Sequence, residues 1–203
     1  MKIIRSSLVI ILIFLAGGIF GQSYFSITYD LAFPFGNTKD FIPKTSTRGF
    51  GVEAGSRITD NLSVGLGFAW NGFYEEVDYD LYGPEDGLPE ELNIWTKTWK
   101  YITVYPFFGT VKYYLYSRSD MELYVGAIVG TSLISKVTDY GVYSQVDKNW
   151  HFTLSPEAGI IYWLHKNIGI TLNSRFMWSA AAGNTDPQTY LGFNVGIIAG
   201  SSR

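Results

Sequence analysis

LSVGLGFAW, residues 62–70, alternates strictly between large apolar residues and small residues. Leucine, valine, phenylalanine and tryptophan occupy every even position, while serine, glycine and alanine occupy every odd position. A period of two is typical of a β-strand with two different faces, whereas an amphipathic helix repeats every 3.6 residues or so. The segment therefore predicts a strand with one bulky apolar face and one narrow face.

The same alternation recurs from Tyr24 onward and predicts eight strands. One of these segments, residues 96–116, is long and aromatic, and we expect Pro106 and Gly109 to mark a bulge in it. Four long connections follow the odd-numbered strands, at residues 36–47, 75–95, 136–149 and 179–188. Three short turns follow the even-numbered strands, at residues 59–61, 117–120 and 164–167. Short turns at one end and long loops at the other are typical of bacterial membrane barrels.

The narrow face of the strands indicates which side meets lipid. A water-facing strand surface normally carries many charged side chains, but this face is mostly Gly, Ser, Ala, Thr and Asn. Over the whole chain, 16% of residues are charged, compared with about 25% in soluble domains. Small residues suit the interior of an eight-stranded barrel, and large apolar residues suit its lipid surface. The predicted fold is therefore an all-β, eight-stranded antiparallel up-and-down transmembrane β-barrel.

The amino-terminal residues 1–21 read as a cleaved secretory signal peptide, which leaves residues 22–203 as one barrel domain. Lys2 and Arg5 precede an apolar run at residues 8–20, which is too short to cross a bilayer as a helix of about 20 residues. We therefore expect an exported protein that is integral to the outer membrane, in contact with its lipid and lipopolysaccharide.

Composition excludes several classes of chemistry. The chain has no cysteine, which excludes disulfides, thiolate metal sites and a cysteine nucleophile. Its net charge of −3 offers no basic surface for nucleic acid. The acidic stretch at residues 75–91 fails the EF-hand pattern, because Tyr82 and Pro89 stand at ligand positions. We predict no catalytic, cofactor-binding or metal-binding residue.

Four segments resemble the β-barrel domain of small OmpA/OmpX-like outer-membrane proteins. The resemblance implies an integral outer-membrane barrel, from a family in which many members have no assigned chemistry. It rests on ITDNLSVGLGF (58–68), LYVGAIVGTS (123–132), SPEAGIIYWLHKNIGITLNSRF (155–176) and YLGFNVGIIAG (190–200).

Three functions are compatible with such a barrel. The main expectation is a structural, adhesion or assembly role, with an unknown envelope protein bound through the external loops. The first alternative is a narrow channel for small solutes. The second is an outer-membrane lipid-modifying hydrolase, since His151, Thr153 and Glu157 share one face, although Thr153 stands where lipid-A deacylases of similar pattern have serine.

The alternation of inward and outward positions along each strand also predicts which charged side chains enter the lumen. Unpaired charges are expensive in so narrow an interior, so we expect an ion-pair network that plugs it. Arg175 is the expected centre, because its planar guanidinium can serve two carboxylates. The predicted members are Asp30, Glu53, Arg57, Lys112, Glu122, Glu157 and Arg175.

Overall fold

A computed structural model describes residues 23–117 and 120–200 of the chain. The predicted signal peptide lies outside the described residues. Eight antiparallel strands follow one another, each paired with its neighbours in sequence, and the last strand pairs with the first to close the ring. The strands are β1 (Ser23–Phe35), β2 (Gly49–Thr59), β3 (Leu62–Tyr82), β4 (Ile94–Ser117), β5 (Met121–Asp139), β6 (Ser144–His165), β7 (Ile168–Ser179) and β8 (Gln188–Gly200).

This arrangement confirms the predicted barrel. Alternation places the large apolar residues on the outer surface, where Leu66, Val129 and Leu172 are each more than half exposed. Polar side chains of the same strands face inward and are buried, among them Ser63, Ser132 and Thr171. An outward apolar surface on a closed ring suits hydrocarbon, because closure leaves no unpaired strand edge within the ring.

Two helical turns join strands within the described residues. Helix α1 (Gly36–Phe41) follows β1, and a short 3-10 helix (Pro84–Asp86) lies between β3 and β4. No helix among the described parts of the chain has the length and apolar character needed to cross a membrane.

Two of the predicted long loops are wrong in their extent. The connection between β3 and β4 covers only residues 83–93, and that between β5 and β6 only residues 140–143. The remainder of both predicted loops continues the strands, because cross-strand pairing persists there, as between Glu75 and Lys100 and between Lys136 and Asp147. Lys97 forms an ion pair with Glu76 at 2.6 Å, and the rings of Tyr74 and Tyr101 pack 5.2 Å apart.

The predicted bulge at Pro106 and Gly109 is also wrong. Pairing of β3 with β4 keeps one register on both sides of Pro106, although the ladder is interrupted there. Proline lacks the N–H that a ladder position uses, so pairing is lost locally without the extra residue that defines a bulge. In the pairings of β4 the register shifts occur instead between Val77 and Asp80 of β3 and between Tyr114 and Tyr116 of β4.

The lipid-facing assignment can be tested with two exposed valines. Val129→Arg should destabilise the barrel by about 2–4 kcal/mol, because it places a charge well inside the membrane-spanning part of β5. Val146 is similarly exposed but lies in the external part of β6, so Val146→Arg should have little effect. Reversible urea unfolding in phospholipid vesicles measures both changes. Equal effects of the two substitutions would contradict the assignment.

Candidate functional site: the lumen and its external end

Aromatic side chains fill the lumen at the end that carries the short turns. Burial of these rings is nearly complete, and Tyr114 and Tyr124 pack with their ring centroids 5.9 Å apart. The cavity left among them has a volume of about 10 Å³, the space of about one water molecule. The cluster comprises Tyr24, Tyr114, Tyr124, Ile161, Trp163 and Ile198.

Four charged side chains form the next layer, and all four are buried. Lys112 Nζ lies 2.5 Å from Glu53 Oε1 and 3.4 Å from Glu157 Oε1. Arg175 contacts the same two carboxylates, Glu53 through Nη2 at 3.0 Å and Glu157 through Nε. Each cation therefore contacts both anions. Tyr24 adds a hydrogen bond from its hydroxyl to Glu53 at 2.7 Å.

The structure thus brings together Glu53, Lys112, Glu157 and Arg175 from the predicted set, on four different strands. We refer to these four side chains as the charge layer. Its formal charge is zero, since it holds two carboxylates and two cations. A neutral and mutually bonded set is the arrangement in which buried charges can be tolerated.

Two other predicted residues form a separate pair closer to the aromatic cluster. Arg57 Nη2 lies 2.6 Å from Glu122 Oε2, and its guanidinium sits 3.9 Å from the ring centroid of Tyr114. Ser117 donates a further hydrogen bond to Glu122. The seventh residue, Asp30, accepts a hydrogen bond from Thr28 and has no cation within 4.0 Å among the described residues.

An apolar layer closes the lumen on the external side of the charge layer. One member comes from a predicted loop, because the chain after α1 folds inward and buries Ile42 completely. Thr38 of α1 anchors this segment, since its hydroxyl accepts a hydrogen bond from the Thr189 amide of β8. No pattern in the sequence predicted this contribution. The layer contains Ala32, Ile42, Phe73, Ile102, Val104, Ile134, Met177 and Tyr190.

The residues considered for hydrolysis also lie inside the barrel. His151 is fully buried, with Nδ1 2.6 Å from the carbonyl oxygen of Ala180. The Thr153 hydroxyl contacts Ser132 and Ser179, and no hydrogen bond joins it to His151 among the described residues. A nucleophile needs a base within hydrogen-bond reach, so these contacts do not assemble one.

The acidic stretch of β3 meets cations from other parts of the chain. Hydrogen bonding to Lys97 lowers the pKa of Glu76, and the same contact raises the pKa of Lys97. Glu75 lies 4.0 Å from Lys44. Within residues 23–117 and 120–200, no three potential ligands converge to hold a metal ion.

The architecture is similar to that of solved outer-membrane proteins. Neisserial surface protein A aligns with a TM-score of 0.62 and 14% identity, over 88% of this chain and 98% of that one. The fold is that of an outer-membrane β-barrel. The attachment invasion locus protein Ail of Yersinia pestis aligns similarly, with a TM-score of 0.56 and 14% identity over 89% of this chain and 99% of that one.

Sequence comparisons do not assign this outer-membrane barrel to a protein family. No protein-family model matches the chain, and no curated protein does. The shared property is therefore the fold.

The charge layer makes a direct prediction about stability. Arg175→Ala should lower the free energy of unfolding by about 3–5 kcal/mol, because two carboxylates lose a buried partner. Arg175→Lys keeps the charge but loses the planar fork, so its effect should be smaller. Urea unfolding in vesicles measures each change.

Lys97→Ala is the matched control, since it removes a cation from an exposed pair on the outer surface. Its unfolding free energy should stay within experimental error of the native protein. An Arg175→Ala effect no larger than that of Lys97→Ala would show that the charge layer contributes nothing.

Proposed function

We propose that the protein is a closed outer-membrane barrel that binds an envelope protein partner through its external wall, in an adhesion or assembly role. The proposal rests on a contrast between the lumen of the barrel and its longer strands. The lumen is filled from the aromatic cluster to the apolar layer, whereas four neighbouring strands extend far beyond the length that a membrane requires.

The filled lumen argues for a scaffold. On the external side of the charge layer, the cavity between Asp30, Phe108 and Arg175 has a volume of about 10 Å³. The cavity in the aromatic cluster is equally small. Each holds about one water molecule, so neither provides a path for a solute. This favours the scaffold over the alternative of a narrow channel.

The extended strands form the external wall. Strands β3, β4, β5 and β6 have 21, 24, 19 and 22 residues, whereas the other four have 11 to 13. About 9–11 residues cross a membrane. Roughly ten residues of each long strand therefore project outward, on the order of 30 Å along the strand.

The outer parts of β3 and β6 form the two edges of this wall. Pairing of β6 with β7 begins at Thr153. The loop after β7 covers the adjacent part of the β6 edge, because Phe152 O accepts a hydrogen bond from Ala180 N and Asn149 Nδ2 donates one to Thr185 Oγ1. Residues 144–148 of β6 therefore form the part of this edge without a strand partner among the described residues. This edge carries the exposed apolar side chains Val146 and Trp150. The opposite edge, on β3, carries Glu76, Asp78 and other carboxylates, which discourage edge pairing.

The β6 edge is therefore the better surface for a partner. An exposed strand edge can accept an added strand, with backbone hydrogen bonds giving affinity and side chains giving specificity. Exposed apolar residues next to such an edge are typical of an interaction site.

Site-specific photo-crosslinking in cells tests this proposal. A photoreactive amino acid placed at Val146 should give a discrete protein adduct, because the proposed partner lies against this edge. The same amino acid at Val129 is the matched control and should crosslink to lipid. Gel mobility and mass spectrometry identify the adducts.

The partner proposal fails if Val146 gives no protein adduct while the barrel is correctly folded in the membrane. It also fails if Val129 gives the same adduct, since that site lies on the lipid surface of β5. A barrel that functions alone would produce the first of these results.

A further inference from the structure

The lumen widens beyond the apolar layer into a cavity of about 270 Å³. Inward-facing side chains of the projecting strands enclose it, and Phe41 at the end of α1 lies on its inner side. We call this cavity the vestibule. Its lining differs from the layers beneath it, because it contains charged side chains that are not paired with one another.

Two lysines in the vestibule converge on one aromatic ring. Lys136 Nζ of β5 lies 4.0 Å from the ring centroid of Phe41, and Lys100 Nζ of β4 lies 5.2 Å from it. Neither ammonium group has a carboxylate within 4.0 Å in the part of the chain that the structure describes. On the outer surface of the same strands, by contrast, Lys97 forms ion pairs with Glu76 and Asp78.

Asp86 and Asp147 also line the vestibule, so the formal charge of its lining is zero. Neither carboxylate lies within 4.0 Å of a lysine ammonium group among the described residues, so the two ammonium groups lie beside one ring without an ion pair. The Phe41 ring attracts cations through its quadrupole but carries no net charge. It therefore cannot cancel the repulsion between the Lys100 and Lys136 ammonium groups. An anion bound beside both groups would cancel it. Lysine is also a common ligand for phosphate, acting as a compact charge with three donors.

The other side chains of the vestibule suit hydroxyl groups. Thr98 is completely buried, and its hydroxyl has no hydrogen-bond partner among the described residues. Asp147 projects from β6 and likewise forms no hydrogen bond within that part of the chain. Asp86 is less available, because its carboxylate accepts a hydrogen bond from the Gly83 amide. Among the described lining residues, Lys100, Lys136, Asp147 and the buried Thr98 hydroxyl are therefore available to a ligand.

We propose that the vestibule binds a single phosphorylated sugar unit. Lys100 and Lys136 hold the phosphate, while Asp147 and Thr98 bond to sugar hydroxyls. Small-molecule pockets usually measure about 300–1,000 Å³, so a cavity slightly below that range accepts one sugar ring better than an extended chain. The inference rests on the proposed function, because it assigns the vestibule to the outside of the cell.

Calorimetric titration of the folded protein in phosphatidylcholine nanodiscs tests the site, with glucose 6-phosphate as the probe. It should bind more tightly than glucose or inorganic phosphate, because neither contacts both halves of the site. The double variant Lys100→Gln/Lys136→Gln should bind glucose 6-phosphate at least about tenfold more weakly.

Lys148→Gln is the matched control. Lys148 lies next to Asp147 on β6 but faces outward, so Lys148→Gln removes one positive charge from the outer side of the wall. Affinity of this variant should stay within about twofold of the native protein, because exposed charges at this distance are screened by salt. Heat-modifiable migration on gels verifies that each variant is folded.

A second set of titrations distinguishes two possible sources of the phosphorylated sugar. Weaker apparent binding of glucose 6-phosphate in nanodiscs that contain lipopolysaccharide would identify a phosphorylated sugar of that lipid as the occupant. Equal binding in both nanodiscs would identify a soluble phosphorylated sugar.

The proposal is overturned if the folded native protein does not bind glucose 6-phosphate at millimolar concentration. It is also overturned if the double variant and the native protein bind equally. Both results are independent of the crosslinking at Val146, so the vestibule and the partner surface can fail separately.

Discussion

Two carboxylates and two cations meet in the middle of the lumen, and the rest of the barrel is arranged around that contact. Glu53, Lys112, Glu157 and Arg175 come from four different strands, so their ion pairs tie opposite walls together. None of them could be buried alone, because an isolated charge in such an interior is strongly destabilising. The charge layer therefore fixes the strand registers that bring these groups together. Aromatic and apolar layers on either side keep water away from it.

The membrane-spanning part of this fold is predictable from the sequence because two constraints act on every residue there. Lipid selects bulky apolar side chains at the outward positions of each strand. The narrow lumen selects small or polar side chains at the inward positions, as in residues 62–70. Beyond the membrane the first constraint disappears. The segments around Glu76 and Lys136 then resemble loops in composition, although cross-strand contacts hold them as strands.

Parity also predicts which charged residues enter the lumen, but it does not predict how they pair. Pairing depends on the height of each residue in the barrel, which follows from register and strand tilt. Arg57 and Glu122 consequently form a pair of their own, and Asp30 bonds to Thr28. The inward folding of Ile42 and Phe41 could not be predicted at all, because it depends on the tertiary position of α1 against β8. Both the apolar layer and the vestibule require that position.

We propose that the charge layer and its neighbouring layers seal the lumen, so that function resides at the external end. Planar-bilayer recording of the native protein tests this claim most directly. We expect no steady single-channel current across the usual range of voltage and salt, because the two cavities beneath the vestibule hold about one water molecule each. Steady open-channel currents from the folded, purified barrel would contradict it.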